Sequence, residues 1–532
     1  MRTKATSLFA LAAAGLLQFT AAAQVTLEAP MQRGDTAATQ NGWTSTPIFT
    51  VGEATASGYL PVGLCDGIGA FPFGPNTAAL LVNHELGADK GYPYSLRNGT
   101  QMTGARVSYF IIERTLDALG QPVVKVKDAG AAIRTIHDRS GQVVTNPAQV
   151  NETGVGMNGF SRFCSSQSVL AGTYGFQDFL YFTGEESSKP GHPHGGTEWV
   201  LDAVNRTLWA APALGRGAWE NATPLETGDP NQVALLLGSD TAGAPLYLYV
   251  GTKGAAGTGS FLDRNGLEVG KLFAWKASGG DLSPQDFHGV NEARSGSFVE
   301  LTVKDATSAG LPGYDAAGYL DDDTLSGLAD SLGCFSFSRP EDLATNPVDG
   351  TQVAFASTGR GSLYPADNWG TLYVVDVDFP SLAANIVIVH DADGLAVPDS
   401  GLRSPDNVTW ASNGKIYAQE DRSTSPGALF GAATGIEASI WEIDPVTRAF
   451  ERIVEIDRSV LAPAGVTDAG AGDLGNWESS GILDVTALFE TRPGERLLIG
   501  TVQAHGLQDG PIGGGALLVQ GGQLLFHSKI GD

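Results

Sequence analysis

Basic residues are scarce in this chain: Lys and Arg number 32 against 58 Asp and Glu, a formal charge of −26 over 532 residues. A field that negative repels nucleic acid, because binding a polyanion needs a basic face that displaces counterions from phosphate. DNA and RNA are thereby excluded as partners, and metal cations become the natural ones. Long apolar runs are lacking beyond the first two dozen residues, where none approaches the roughly 18 needed to cross a bilayer, so no stable membrane span is expected in the mature chain. Histidine is sparse, at 8, which disfavours a zinc hydrolase. His-Glu-x-x-His, P-loop, Gly-x-Ser-x-Gly and Rossmann glycine signatures are all missing, and with them the chemistries they carry. Cysteine is limited to Cys65, Cys164 and Cys334, an odd number that cannot all pair within the chain. A Cys65–Cys334 bridge would leave Cys164 as a thiol, either a small buried hydrophobe or, beside a metal, a thiolate.

What remains is ample core material. With 42% hydrophobic and 17% charged residues the chain should be globular, and 70 Gly with 27 Pro point to short strands joined by tight turns. Arg2 and Lys4, the apolar run Leu8 to Leu17 and Ala21-Ala22-Ala23 have the layout of a secretory signal over residues 1–23. The alternative reading of that segment is an N-terminal membrane anchor. The mature protein is expected in the periplasm or outside the cell, as a monomer with residues 24–532 forming one domain.

Short β-branched and aromatic runs recur throughout, and six end in polar or acidic groups: Leu80 to Glu85, Phe179 to Glu186, Leu235 to Asp240, Val353 to Thr358, Ile416 to Asp421 and Leu497 to Gln503. A second polar motif precedes five of them, at Ser161–Cys164, Ala218–Glu220, Ser338–Glu341, Ser404–Asn407 and Trp477–Ser480. Polar motif, apolar strand and polar end, repeated about six times, predict an all-β fold: a β-propeller of about six blades with long loop insertions and a central funnel. A pair of β-sandwiches is the alternative. The insertions are residues 189–198, 305–333 and 462–476, and Asp321-Asp322-Asp323 reads as a solvated loop or a peripheral calcium site.

Collecting the motif residues gives Glu85, Cys164, Glu185, Glu186, Glu220, Asp240, Glu341, Asp406, Glu420, Asp421 and Glu478. Ten carboxylates facing one funnel would repel and raise one another's pKa unless cations lay between them. Carboxylates suit Ca²⁺, whereas a thiolate among them suits a transition ion such as iron, so a mixed cluster is expected. Arg339, two residues before Glu341, shares its strand face and is either a salt bridge to its neighbours or a clamp for an anionic substrate. Arg162 stands likewise before Cys164. His84 either orients Glu85 or is a satisfied core histidine, and His505 leans structural.

In order along the chain, Val82-Asn83-His84-Glu85, Thr183-Gly184-Glu185-Glu186, Ser338-Arg339-Pro340-Glu341-Asp342-Leu343, Ser404-Pro405-Asp406-Asn407-Val408 and Val502-Gln503-Ala504-His505-Gly506 resemble the PhoX-type alkaline phosphatases, a secreted bacterial family. The resemblance spans roughly residues 60–510. It implies a six-bladed propeller holding Fe³⁺ and Ca²⁺, hydrolysing small-molecule phosphate monoesters at alkaline pH in the service of phosphate acquisition. It also implies that Cys164 ligates iron, that Glu220, Glu341 and Asp406 are metal carboxylates, that Glu85, Glu186, Asp240 and Glu478 are further metal positions, and that Arg339 binds substrate. Two departures stand out: Met1-Arg2-Thr3-Lys4 has no twin arginine, and Gly184 stands where the family tends to carry cysteine. The rival functions are a calcium-using propeller hydrolase of another substrate class, such as a lactonase, and a calcium-binding propeller without enzymatic activity.

Overall fold

The computed structural model describes residues 25–152, 159–461 and 465–531, so the expected signal at 1–23 lies outside the described residues. Strand outweighs helix, 42% to 9%, which makes the chain all-β as expected. The longest described helix, Asp322–Ser331, has 10 residues, and no described helix is long and apolar enough to cross a membrane.

The strands group into up-and-down antiparallel units laid out in chain order. The first holds Cys65–Gly74, Thr77–His84, Arg106–Leu116 and Pro122–Ala131; the second holds Gln167–Val169, Leu180–Gly184, Glu198–Asp202 and Thr207–Ala210. Trp219–Leu225, Gln232–Ser239, Tyr247–Thr252 and Gly270–Ala277 form the third, and Pro340–Thr345, Gln352–Ser357, Thr371–Asp378 and Ala383–Asp391 the fourth. Strand Ala293–Leu301 joins these two edge to edge through Ala293↔Val387. The fifth holds Pro405–Trp410, Ile416–Glu420, Ser439–Ile443 and Phe450–Ile456. The sixth combines Glu478–Asp484, Glu495–Ala504 and Gly521–Ile530 with Thr44–Thr50 from the other end of the chain. The opening strands of successive units touch, and Glu478–Asp484 returns to touch Cys65–Gly74.

The runs that lack polar alternation are second strands buried on both faces. Side chains on a strand point alternately to opposite faces, so such a strand must be apolar at every position. In Gln232–Ser239, Val233, Leu235 and Leu237 pack toward the second unit, against Phe182 and Val200, while Ala234 and Leu236 pack toward the fourth, against Val353 and Phe355. The same division recurs at Leu80 against Leu81, at Phe355 against Ala356 and at Ile499 against Leu498. Apolar layers therefore lie between each unit and the next, and the layer containing Leu80, Phe110, Ile499 and Phe526 joins the last unit to the first.

Two questions that the sequence left open are narrowed here. Cys65 and Cys334 form no bridge; all three cysteines are free and buried, with Cys65 in the layer between the sixth and first units and Cys334 in that between the second and third. Asp321 and Asp322 are buried rather than part of a solvated loop, and only Asp323 is exposed. Asp321 caps the following helix by accepting from Thr324 N, and Asp321 and Asp323 hold the Lys189 ammonium at 2.7 and 3.2 Å.

Glu420, collected among the polar ends, is structural. It pairs with fully buried Arg403 (Nη2 to Oε2, 2.7 Å), which also reaches Asp399 at 3.1 Å and lies 3.8 Å from the Phe430 ring centroid. Removing one partner strands a buried charge. Arg403→Ala should therefore cost about 3–5 kcal/mol in a denaturant titration, and a loss under 1 kcal/mol would contradict a buried, paired Glu420.

Candidate metal centre

Each unit presents a residue at the opening of its first strand, and together these form an inner ring: Asp66, Cys164, Glu220, Glu341, Asp406 and Glu478, all buried. Four of the acids owe their aim to bulges. The register slips between Cys65 and Ile68, Trp219 and Asn221, Pro340 and Leu343, and Pro405 and Val408, freeing Asp66, Glu220, Glu341 and Asp406 from ladder geometry. A further bulge at Gly481 lets that residue adopt φ +42°, where a Cβ would lie 2.2 Å from the Asp66 carbonyl oxygen. Leu64 (φ 53°), Arg162 (φ 52°) and Ser404 (φ 45°) are left-handed, each two residues before a ring member. Such conformations cost non-glycine residues about 1–3 kcal/mol and persist where surrounding structure enforces them. Cys164 precedes a strand of only three residues, and Asn83 holds it in place by donating to the Cys164 and Ser165 carbonyls, both at 2.9 Å.

An outer ring comes from the ends of the second strands: Glu85, Glu186, Asp240, Thr358, Asp421 and His505. The two rings enclose a cavity of about 200 Å³ lined by eight carboxylates, two arginines, the Cys164 thiol and His505. All nine residues expected at the site line it: Glu85, Cys164, Glu186, Glu220, Asp240, Arg339, Glu341, Asp406 and Glu478. Asp66 lies against them, with the Cys164 Sγ donating to its Oδ2 at 3.0 Å.

Donor atoms fall into three overlapping groups, each within 4.8 Å: Asp66, Glu85 and Cys164; Cys164, Glu186 and Glu220; Glu220, Glu341 and Asp406. Cys164 and Glu220 are shared, so neighbouring groups are joined by common ligands. Glu478 stays outside these groups, near His505 (3.5 Å) and Gln503 Nε2 (3.2 Å). Asp240 differs again: its oxygens accept from Arg339 Nε at 2.6 Å and Nη2 at 2.5 Å, and Arg339 also meets Glu341 at 3.2 Å. Asp240 thus orients the guanidinium.

Electrostatics argue for cations. Burial, then mutual repulsion, raises Glu220, Glu341, Asp406, Glu186 and Glu478 well above the carboxylate range and Asp66 to about 7. Burial and then Asp66 and Glu220 push the Cys164 thiol up as well. Burial opposes ionisation at Asp240 too, but the Arg339 charge and hydrogen bonds prevail and bring it to about 2. Glu220 Oε2 and Asp406 Oδ1 are buried without a hydrogen-bond partner, the state of acceptors shaped for an ion. The donor set of carboxylates and one thiol fits a metal cluster.

Other residues fall away from the cavity. Glu185 accepts from Trp199 Nε1 at 3.0 Å and from the Ser161 amide at 3.1 Å, and so braces the second unit. His84 is a satisfied core histidine, bonded to Gly63 O and Ser108 Oγ, and burial lowers it to about 3. Gly184 has a steric reason for departing from cysteine, since a Cβ there would sit 2.5 Å from the Trp219 Cβ. Asp66 escaped the sequence reading, yet it stands 19 residues before Glu85, close to the 20 that separate Glu220 from Asp240. Arg162 pairs with Glu85 (2.8 Å) and Glu186 (2.6 Å).

Against known proteins, residues 200–444 match the family model described as Alkaline phosphatase PhoX. No curated protein gives a significant match. Among solved structures, Pseudomonas fluorescens PhoX in complex with vanadate, a transition-state analogue, is similar with TM-score 0.62 and 18% identity, covering 96% of this chain and 97% of that one. The parainfluenza virus 5 hemagglutinin-neuraminidase ectodomain covers 92% of this chain and 85% of its own at 9% identity, but its TM-score of 0.31 carries no argument. The acidic, arginine-bearing cavity and the family match define a phosphate hydrolase. The segment that matches the PhoX model carries Glu220, Asp240, Arg339, Glu341 and Asp406, five of the residues that line the cavity.

Carboxyls raised above their unfolded values hold their protons more tightly when folded. Their contribution to stability is full below the unfolded pKa of about 4 and is lost as pH rises through the folded one. For Asp66 that window closes near 7, and for the more strongly raised groups above it. The chelated protein should therefore melt at least about 5 °C lower at pH 8.5 than at pH 6, with the difference shrinking when cations are restored. A cation-independent melting curve across that range would contradict a carboxylate cluster.

Proposed function

We propose that this chain is a secreted alkaline phosphatase that hydrolyses small-molecule phosphate monoesters at a cluster of Fe³⁺ and Ca²⁺. The single observation that carries the reading is the linked set of donor groups beside Arg339 in a cavity of about 200 Å³. The proposed architecture is a single six-bladed propeller over residues 24–532 following a signal at 1–23. Closure of apolar layers from the sixth unit back to the first supports it. In this reading the groups containing Cys164 hold iron, because a thiolate favours a transition ion, and the all-oxygen group of Glu220, Glu341 and Asp406 holds calcium. Glu478 completes the ring as a further carboxylate toward the cluster.

When bound, the metals supply Lewis acidity and activate the nucleophile for in-line displacement at phosphorus. The protein's own part is positioning and charge. Arg339 offers hydrogen bonds to nonbridging oxygens, and Asp240 fixes the guanidinium so that little reorganisation is needed as charge develops. Thr358 Oγ donates to Glu341 Oε1 at 2.5 Å, leaving the other oxygen of that carboxylate to face the cavity. Ser165 N holds Glu220 Oε1 in the same way at 3.1 Å.

The test is hydrolysis of a chromogenic phosphate monoester at neutral and alkaline pH, before and after chelation, with metals quantified on the same sample. Alkaline activity abolished by chelation, with iron and calcium both present, is the expected result; a protein replete in both metals that leaves the ester intact would overturn the proposal. Cys164→Ala and Glu341→Ala should lose metal and activity together. Arg339→Ala should keep its metal and lose activity by about 10²-fold or more.

A further inference from the structure

Arg162 and Arg339 are the two guanidiniums that line the cavity, and they are held in similar ways. Arg339 gives Nε and Nη2 to Asp240, while Arg162 gives Nε to Glu85 Oε1 at 2.8 Å and forms an ion pair with Glu186, Nη2 to Oε2 2.6 Å. Glu186 and Asp240 interact with each other, so an acidic pair lies between the two arginines. The Arg162 side chain is 47% exposed against 16% for Arg339.

The backbone at Arg162 is tightly determined. Its N–H donates to Leu86 O at 2.8 Å and its carbonyl accepts from Glu186 N at 2.9 Å, which stitches it between the segments that follow Glu85 and Glu186. Its φ of 52° is a left-handed conformation that a non-glycine residue adopts when the surrounding structure enforces it. A guanidinium anchored along one edge by two carboxylates, with its other edge open to a cavity mouth, is prepared for an anion.

We propose that Arg162 is a second phosphate-binding residue, gripping the phosphoryl group at the cavity mouth from the side opposite Arg339. This rests on the phosphatase reading. Two planar donors separated by an acidic pair contact different nonbridging oxygens, which orients the ester for displacement as well as attracting it. Because Arg162 makes its contact before and after bond cleavage, it contributes mainly to ground-state binding of ester and of product phosphate.

The probe is inorganic phosphate as a competitive inhibitor of monoester hydrolysis by the metal-loaded protein, comparing the parent chain with Arg162→Gln and Arg162→Lys. Metal content and melting temperature are measured on each. The expected result is retained metal, a rise of about tenfold or more in both the phosphate inhibition constant and KM for the glutamine variant, a smaller fall in kcat, and an intermediate position for lysine, which keeps the charge without the fork. Phosphate inhibition and KM within twofold of the parent in a metal-replete variant would overturn the proposal. So would loss of metal with an unchanged inhibition constant in the active remainder, since that is the signature of a residue that only braces Glu85 and Glu186. A metal-loaded parent chain that hydrolyses no ester would count against the phosphatase reading itself, and calorimetric titration with phosphate would then still decide whether Arg162 binds the anion.

Discussion

Repulsion among buried carboxylates where the sheets converge is the constraint on which the rest of this structure depends. An isolated buried carboxylate protonates or moves into water, and on a rigid frame the second escape is closed, which leaves a proton or a cation to relieve the charge. The frame is rigid because its second strands are apolar on both faces and locked between layers, as at Leu235 and Leu236. The bulges at Glu220, Glu341 and Asp406 then turn those side chains away from the ladder and toward one another. The packing of the layers holds these like charges together.

Arginine is used sparingly within that field, and its placement separates the roles of the acids. Asp240 is fully engaged by Arg339 and ionised to about 2, whereas Glu220 and Asp406 each keep an oxygen without a partner. Asp240 orients the Arg339 guanidinium, while Glu220 and Asp406 each present an unpartnered oxygen. Buried Arg403 with Glu420 shows the same residue types in a purely structural pairing, removed from the cavity.

Much of this was legible in the sequence because the pattern repeats. Apolar runs with acidic ends announced second strands, and polar motifs before them announced the openings of first strands, so Glu85, Cys164, Glu186, Glu220, Asp240, Arg339, Glu341, Asp406 and Glu478 were all found and all line the cavity. Asp66 was missed because its neighbours Cys65 and Gly67 look like an ordinary turn, and only its spacing to Glu85 marks it. Glu185 and Glu420 were over-read for the opposite reason: each adjoins a true cavity residue on the same strand end, and a one-residue step reverses the face on which a side chain emerges.

By itself, then, the sequence determined the strand order, the apolar second strands and the supply of acids at their ends, because period-two burial and turn chemistry are local properties. The choice among adjacent acids was decided only by the tertiary structure. Bulges, left-handed residues such as Arg162 and the approach of neighbouring sheets set which side chain points to the axis, which carboxylate receives an arginine and which is left for a cation. Those outcomes depend on distances between residues far apart in the chain, such as Asp66 and Ser480, whose Oγ donates at 2.8 Å, and no local pattern encodes them.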